Sequence, residues 1–174
     1  KAVHGNHGKF DAETLKTEPM KTQLPLVLFA ALASCASALA DSPWNSTRLL
    51  SDFHAEGCAV GDLNGDGNAD IAYGPFWFAG PNFETPNRFA EGESFVAEKG
   101  YSDNFFSYVL DATKDGANDI LVYGFPGKEA RLYVNPGKEK LATGEKWAMH
   151  IVANEISNES PTLVDVIPGG LPEM

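Results

Sequence analysis

The chain has 174 residues, 24 acidic against 13 basic, and a formal net charge of −11. That balance argues against nucleic acid and against anionic membrane surfaces as partners, since both demand an excess of Lys and Arg. It suits a chain that gathers divalent cations.

Residues 1–19 are polar and aperiodic, hold no candidate core and open on Lys1, so they read as a non-native upstream extension. Met20 begins a different pattern. Lys21 supplies a positive n-region, an apolar run follows from Leu24 to Ala33, and Ala38-Leu39-Ala40 is a small-x-small cleavage site before Asp41. Residues 20–40 are therefore expected to be a secretory signal peptide, too short to span a bilayer as a stable helix. The run has no polar face, which argues against an amphipathic leader. Leu32-Ala33-Ser34-Cys35 also fits a bacterial lipobox. Cleavage after Ala40 removes Cys35 and places the protein in the secreted, periplasmic or cell-surface compartment; use of the lipobox anchors it as a lipoprotein through an acylated Cys35. In both cases Cys58 has no cysteine partner. An exported fold without a disulfide needs another staple, and bound metal is a candidate. No transmembrane segment follows the signal. Residues 41–174 hold nine basic and 21 acidic residues, a net charge of −12.

Trp44 to Leu50 reads as a lone strand. Next comes the stretch Asp62-Leu63-Asn64-Gly65-Asp66-Gly67-Asn68-Ala69-Asp70. It places side-chain oxygens at positions one, three, five and nine, with glycine at six where a sharp turn needs freedom from Cβ clashes. Carboxylates this close repel: at about 4 Å a pair costs about 1 kcal/mol in water and about 4 kcal/mol at an effective dielectric near 20. A hard cation such as Ca²⁺ removes that cost and takes about six to eight oxygens. A metal loop is the first reading; a solvated Asx/Gly turn between strands is the other.

The pattern repeats. Asp111-Ala112-Thr113-Lys114-Asp115-Gly116-Ala117-Asn118-Asp119 keeps Asp, Asp, Gly and Asp at positions one, five, six and nine. A degenerate copy over 165–173 keeps acids at one and nine, Asp165 and Glu173, and Gly170 at six. The first acids stand 49 and 54 residues apart. The flanks recur too: Val60, Val109 and Leu163 precede those acids by two residues, and Cys58, Ser107 and Pro161 by four. Ile71-Ala72-Tyr73-Gly74 and Ile120-Leu121-Val122-Tyr123-Gly124 follow position nine. Such β-branched and aromatic runs bracket each loop with strands. A third strand is expected at Phe76 to Ala79 in the first repeat and at Ala130 to Asn135 in the second. A fourth is expected within Arg88 to Ala97 and at Trp147 to Val152. No convincing helical period occurs outside the signal peptide. Four strands per roughly 50 residues is the size of a β-propeller blade.

Position twelve separates two kinds of Ca²⁺ loop. A helix-loop-helix site needs a bidentate Glu there, and this chain has Tyr73 and Val122, flanked by strands. Asp70 and Asp119 then become the closing ligands. The run Val60 to Gly74 resembles the FG-GAP/VCBS repeat, the family of the integrin α-chain head. The resemblance covers most of 44–174, and is strong at the first loop, fair at the second and weak at the third. It implies an all-β fold, a β-propeller of four-stranded blades, present here as an incomplete ring of about two to two and a half blades. It implies structural Ca²⁺ on Asp62, Asn64, Asp66 and Asp70 with the carbonyl of Asn68. It implies a second, weaker site on Asp111, Asp115 and Asp119 with the carbonyl of Ala117, where Thr113 departs from the usual Asp/Asn. The third loop, with Ile167 and Gly169 at positions three and five, is expected to bind no metal. Propellers close at about four to eight blades, so further blades are expected from sequence beyond Met174.

Other residues are read as structural. His54 and His150 are expected at surface or strand-edge positions, and Cys58 as a small buried residue. Phe76-Trp77-Phe78 with Phe83, and the Tyr101 to Tyr108 segment with Phe105 and Phe106, are expected to pack within and between blades. Glu91, Glu93 and Glu98 read as a solvated loop, since nothing fixes their separation. Asn45 and Asn158 head glycosylation sequons, relevant only in a eukaryotic secretory pathway. The functional expectation is a non-enzymatic scaffold for adhesion or for glycan or cell-surface protein recognition. The alternative is the propeller portion of a carbohydrate-active enzyme, a polysaccharide lyase or hydrolase.

Overall fold

A computed structural model describes residues 45–157 and 159–173. The chain divides into two compact units, 1–46 and 47–174; of the first, only Asn45 and Ser46 are described. The upstream extension, the signal peptide with Cys35, Trp44, Asn158 and Met174 lie outside the described residues.

The second unit is all-β. Runs rich in β-branched and aromatic side chains on either side of each acidic loop form two four-stranded antiparallel sheets. The first holds β1 (Cys58–Gly61), β2 (Asp70–Tyr73), β3 (Phe76–Phe78) and β4 (Pro86–Arg88), in that order. The second holds β5 (Phe106–Leu110), β6 (Asp119–Tyr123), β7 (Lys128–Val134) and β8 (Ala148–Ile156). Each is an up-and-down meander, so the β1–β2 and β5–β6 connections are the two acidic loops. Among the described residues no helix is long and apolar enough to cross a membrane.

Several expectations shift. Residues 45–50 form no strand; a strand needs a hydrogen-bonding neighbour, and the first pairing is an isolated bridge from Phe53 to Phe95. β4 lies earlier than expected. Pro86, which lacks an N–H, heads this outer strand, where no further ladder is required. Phe89 and Ala90 leave the strand and donate their N–H groups to the Pro75 carbonyl while filling the core. A four-residue helix, α1 (Lys138–Leu141), interrupts the β7–β8 connection, and Leu141 packs on the core. Cys58 is exposed. Ala59 takes the buried face of β1, and in a period-two strand its neighbour must point the other way.

The core lies between the sheets. Ala59, Ala72 and Trp77 are cross-strand neighbours on one face of the first sheet. They pack with Ile120, Val122 and Tyr133 of the second, and Phe89 and Trp147, from the connections, join them. Trp77 thus bridges the sheets, while Phe76 lies under the Arg88 guanidinium, 4.8 Å from its ring centre. The opposite face of the second sheet buries Leu121, Tyr123 and Ala130 under a group that includes Leu163.

The innermost strands approach closely. A Cβ on Gly61 would lie 2.4 Å from Val109 Cγ1, a separation that no relaxed pair of carbons adopts. Gly61→Ala is expected to lower the urea midpoint by an amount equivalent to about 1–3 kcal/mol. Trimming the obstacle in the double variant Gly61→Ala/Val109→Ala should give a loss smaller than the sum of the two single losses. Strict additivity in that cycle would contradict the contact.

Candidate metal centre

The two acidic loops share one internal wiring. Asp62 Oδ1 accepts the N–H groups of Gly65 at 2.7 Å and Asp66 at 3.2 Å, and its Oδ2 accepts that of Gly67 at 2.9 Å. Asp111 does the same one repeat later, accepting from Asp115 at 3.1 Å and Gly116 at 2.9 Å. The fifth position takes the seventh residue's N–H in both: Asp66 from Asn68 at 2.7 Å, Asp115 from Ala117 at 2.9 Å. These are Asx-type turns, in which a short side chain holds backbone donors that no ladder can reach.

The backbone also repeats. Gly67 and Gly116, both at position six, have φ of 87° and 91°. At position four the first loop has Gly65 at φ 70°, whereas the second forces Lys114 to φ 60°, a region that costs a side chain with Cβ of order 1 kcal/mol or more. The third loop differs: its left-handed residue is Gly169, at position five.

Position nine has a different task. Asp70 and Asp119 are both 0 % exposed. Asp70 accepts the Leu63 N–H at 2.8 Å on one oxygen and the Gly80 N–H at 2.8 Å on the other. Asp119 accepts from Ala112 at 3.0 Å and Thr113 at 3.1 Å on one oxygen, and from Asn135 at 2.9 Å on the other. Each carboxylate therefore ties the start of its loop to the residue that leaves the third strand. Removing one would strand two or three largely buried N–H groups, at about 1–3 kcal/mol each. Glu173 takes the same position in the third copy. Its Oε2 accepts from Val166 at 2.9 Å and Ile167 at 3.3 Å, beside a backbone bridge to Val164.

Asp62, Asn64 and Asp66 are brought together on the solvent side of the first loop. The Asn64 side chain accepts from the Asp66 N–H at 2.8 Å and donates to Asp66 Oδ2 at 3.1 Å. The Asn68 N–H, with some desolvation opposing it and the Asn64 side chain assisting, holds the exposed Asp66 carboxyl below its ordinary 3.8. Thr113 takes the place of Asn64 in the second loop and is exposed. Every side-chain donor at either loop is oxygen, which is the chemistry a hard cation takes. Among the described residues no three His, Cys, Asp or Glu side chains gather as a ready-made cage: Asn64 stands between the two outer carboxylates, and Asp70 turns inward.

Two residues that sequence reasoning passed over couple the loops. Asn118 Nδ2 donates to the Asp62 carbonyl at 2.7 Å. Asn135, buried, donates from Nδ2 to the carbonyls of Leu63 and Asn118, each at 2.8 Å, and its Oδ1 accepts the Gly137 N–H. An asparagine closing a strand just before Pro136-Gly137 is the signal that marks it. The loops line one cleft of about 340 Å³, with Lys138 at its edge.

The remaining candidates lie apart from the loops. His54 is buried rather than superficial. It fits beneath the β2–β3 turn, edge-on to Tyr73 and Phe76, with its Nδ1 3.1 Å from the Glu93 carbonyl. His150 is exposed on β8. Glu91 pairs with Lys146 and approaches Arg88 at 3.9 Å. Comparison of the chain with protein-family models, with curated proteins and with solved structures gave no match.

Two measurements follow from this wiring. Lys114→Gly relieves the left-handed strain and is expected to raise stability by up to about 1 kcal/mol in urea unfolding; a loss would show that the lysine conformation costs nothing. The N–H groups of Val166 and Ile167 depress the Glu173 carboxyl below its ordinary 4.5. Its contribution is therefore present above the ordinary value and fades as pH falls through the lower folded value. Carboxyl-detected NMR titration should give a Glu173 midpoint under 4.5, and the Val166 and Ile167 amides should shift with the same midpoint.

Proposed function

We propose that the chain is an exported Ca²⁺-binding repeat protein of the β-propeller kind, each four-stranded sheet serving as a blade. In this reading it is a non-enzymatic scaffold for adhesion or for glycan or protein recognition, with calcium in a structural role. The observation that carries the reading is one loop wiring used twice, with its position-nine clamp used a third time at Glu173. Packing supports it. Val109 and Ile120 of the second sheet face the first sheet's core row. On the other side of the second sheet, Leu163 meets Tyr108 and Leu121. Leu163 stands where Val109 stands in its repeat, so the same face-to-back relation occurs twice, as in head-to-tail repeat stacks.

Ca²⁺ would be held at the first loop by Asp62, Asn64 and Asp66 with the Asn68 carbonyl, and by Asp70 only through lone pairs that the Leu63 and Gly80 N–H groups leave free. At the second it would be held by Asp111, Asp115 and Asp119 with the Ala117 carbonyl, beside Thr113. Binding to the folded state alone adds about 2.7 kcal/mol at a hundredfold excess over Kd. Excess EDTA should therefore lower the Tm of the full chain by several degrees, and added Ca²⁺ should restore it, read by calorimetry. Asp66→Ala should remove more of that shift than Asp115→Ala. No shift on chelation refutes the metal reading.

A further inference from the structure

A groove lies away from the acidic loops. One part, about 310 Å³, is lined by Phe95, Tyr101, Ser102, Asp103, Phe125 and Lys128. It shares Phe95 and Asp103 with a second part of about 560 Å³ that extends between the sheets to Trp147 and Met149. Both sizes suit small-ligand sites, which run from roughly 300 to 1,000 Å³.

The floor is aromatic. Tyr101 is 65 % exposed, and its ring stacks on Phe125 at 5.5 Å and 28°. Phe105 meets both rings edge-on, at 5.7 and 5.6 Å. Exposed rings grouped in this way, rimmed by polar groups, mark an interaction surface. The rim is built as well. Arg131, from β7, lies largely buried beneath Asp103. Its Nη1 sits 3.4 Å from the Asp103 carboxylate, its Nη2 donates to the Asp103 carbonyl, and Glu129 flanks it at 3.9 Å. The Asp103 side chain is itself 60 % exposed. The guanidinium thus fixes a solvent-facing acceptor beside the rings before any ligand arrives, which lowers the ordering cost of binding. At the far end, the Glu91–Lys146 ion pair links the segment after β4 to the one before β8.

We propose that this groove binds a neutral oligosaccharide chain. A pyranose has an apolar C–H face, which matches the exposed rings, and an edge of hydroxyl donors, which matches a fixed carboxylate. Two connected compartments accommodate more than one sugar unit. Charge bears on the class of glycan: the groove sets Asp103, Glu91, Glu93 and Glu129 against Arg131, Lys146 and Lys128, a near balance that offers no basic patch to uronate-rich or sulfated chains, and the chain carries −11 overall. The inference rests on the recognition-scaffold reading and assigns its ligand class and place.

The test uses the full chain with Ca²⁺ present. Cellohexaose, xylohexaose and laminarihexaose serve as neutral probes, and polygalacturonate and heparin as anionic ones, by isothermal titration and saturation-transfer NMR. Binding of at least one neutral hexasaccharide is expected, together with weaker or no binding of the polyanions. Tyr101→Ala and Phe125→Ala should each weaken binding on the order of tenfold. Asp103→Asn should weaken it several-fold, and Tyr101→Trp should retain it, which separates lost stacking from lost folding. Absence of binding by all three neutral probes, tighter binding of a polyanion, or unchanged affinity in the Tyr101→Ala and Phe125→Ala variants would overturn the groove. Calorimetry with EDTA on the same sample distinguishes the two failures. An intact Ca²⁺ shift without sugar binding removes the groove alone; a missing shift removes the metal reading.

Discussion

The arrangement depends first on the carboxylates at position nine. A tight loop leaves backbone N–H groups that no neighbouring strand can accept, and buried donors of that kind must find a partner. Asp70 and Asp119 stand at the head of β2 and β6, within reach of both the loop that precedes them and the chain that leaves the third strand. Each therefore joins the start of its loop, the head of its own strand and the exit of the third strand, all within 16 residues of the carboxylate. The exposed donors Asp62, Asn64 and Asp66 take their spacing from a loop anchored in this way. Position nine is a structural residue before it is a ligand to anything, and the longer Glu173 carries out part of the same duty where positions three and five hold no donor.

Much of this was legible in the sequence because the loops and their flanks repeat. The acids at 62 and 111 located β1, β2, β5 and β6. The third strands came out within two residues of their expected ends. The misses have physical causes. Arg88 to Ala97 carries only scattered strand formers, and with Phe89 and Ala90 claimed by the core the strand falls on Pro86–Arg88. Cys58 has apolar neighbours but lies on the outward side of its strand. His54 is buried by a contact with Glu93, 39 residues away, which local patterning cannot register. At the loops, the side chains of positions one, three and five were readable as a group. The inward turn of Asp70 and Asp119, and the amides of Asn118 and Asn135, depend on tertiary neighbours and were not.

The meander separates two chemistries. In an up-and-down sheet, alternate connections lie at opposite ends, and the adjacency of the loops in one cleft shows that both sheets point their acidic connections the same way. The β2–β3 and β6–β7 turns lie at the other end, with the β4–β5 crossover. Phe125 belongs to one of those turns, and Tyr101 and Phe105 to the crossover. Oxygen donors thus gather at one end and exposed rings at the other, so neither surface constrains the composition of its opposite.

The amides that cross between the repeats bear on how the chain comes apart. Asn118 and Asn135 belong to the second repeat, but their side chains satisfy carbonyls of Asp62 and Leu63 in the first. Divided at the crossover near Gly100, the first half would lose acceptors' partners at its loop and the apolar cover of Ala59, Ala72 and Trp77 together. The contacts that hold the first loop from the second sheet's side span 56 and 72 residues, more than the 49 that separate the two acidic loops.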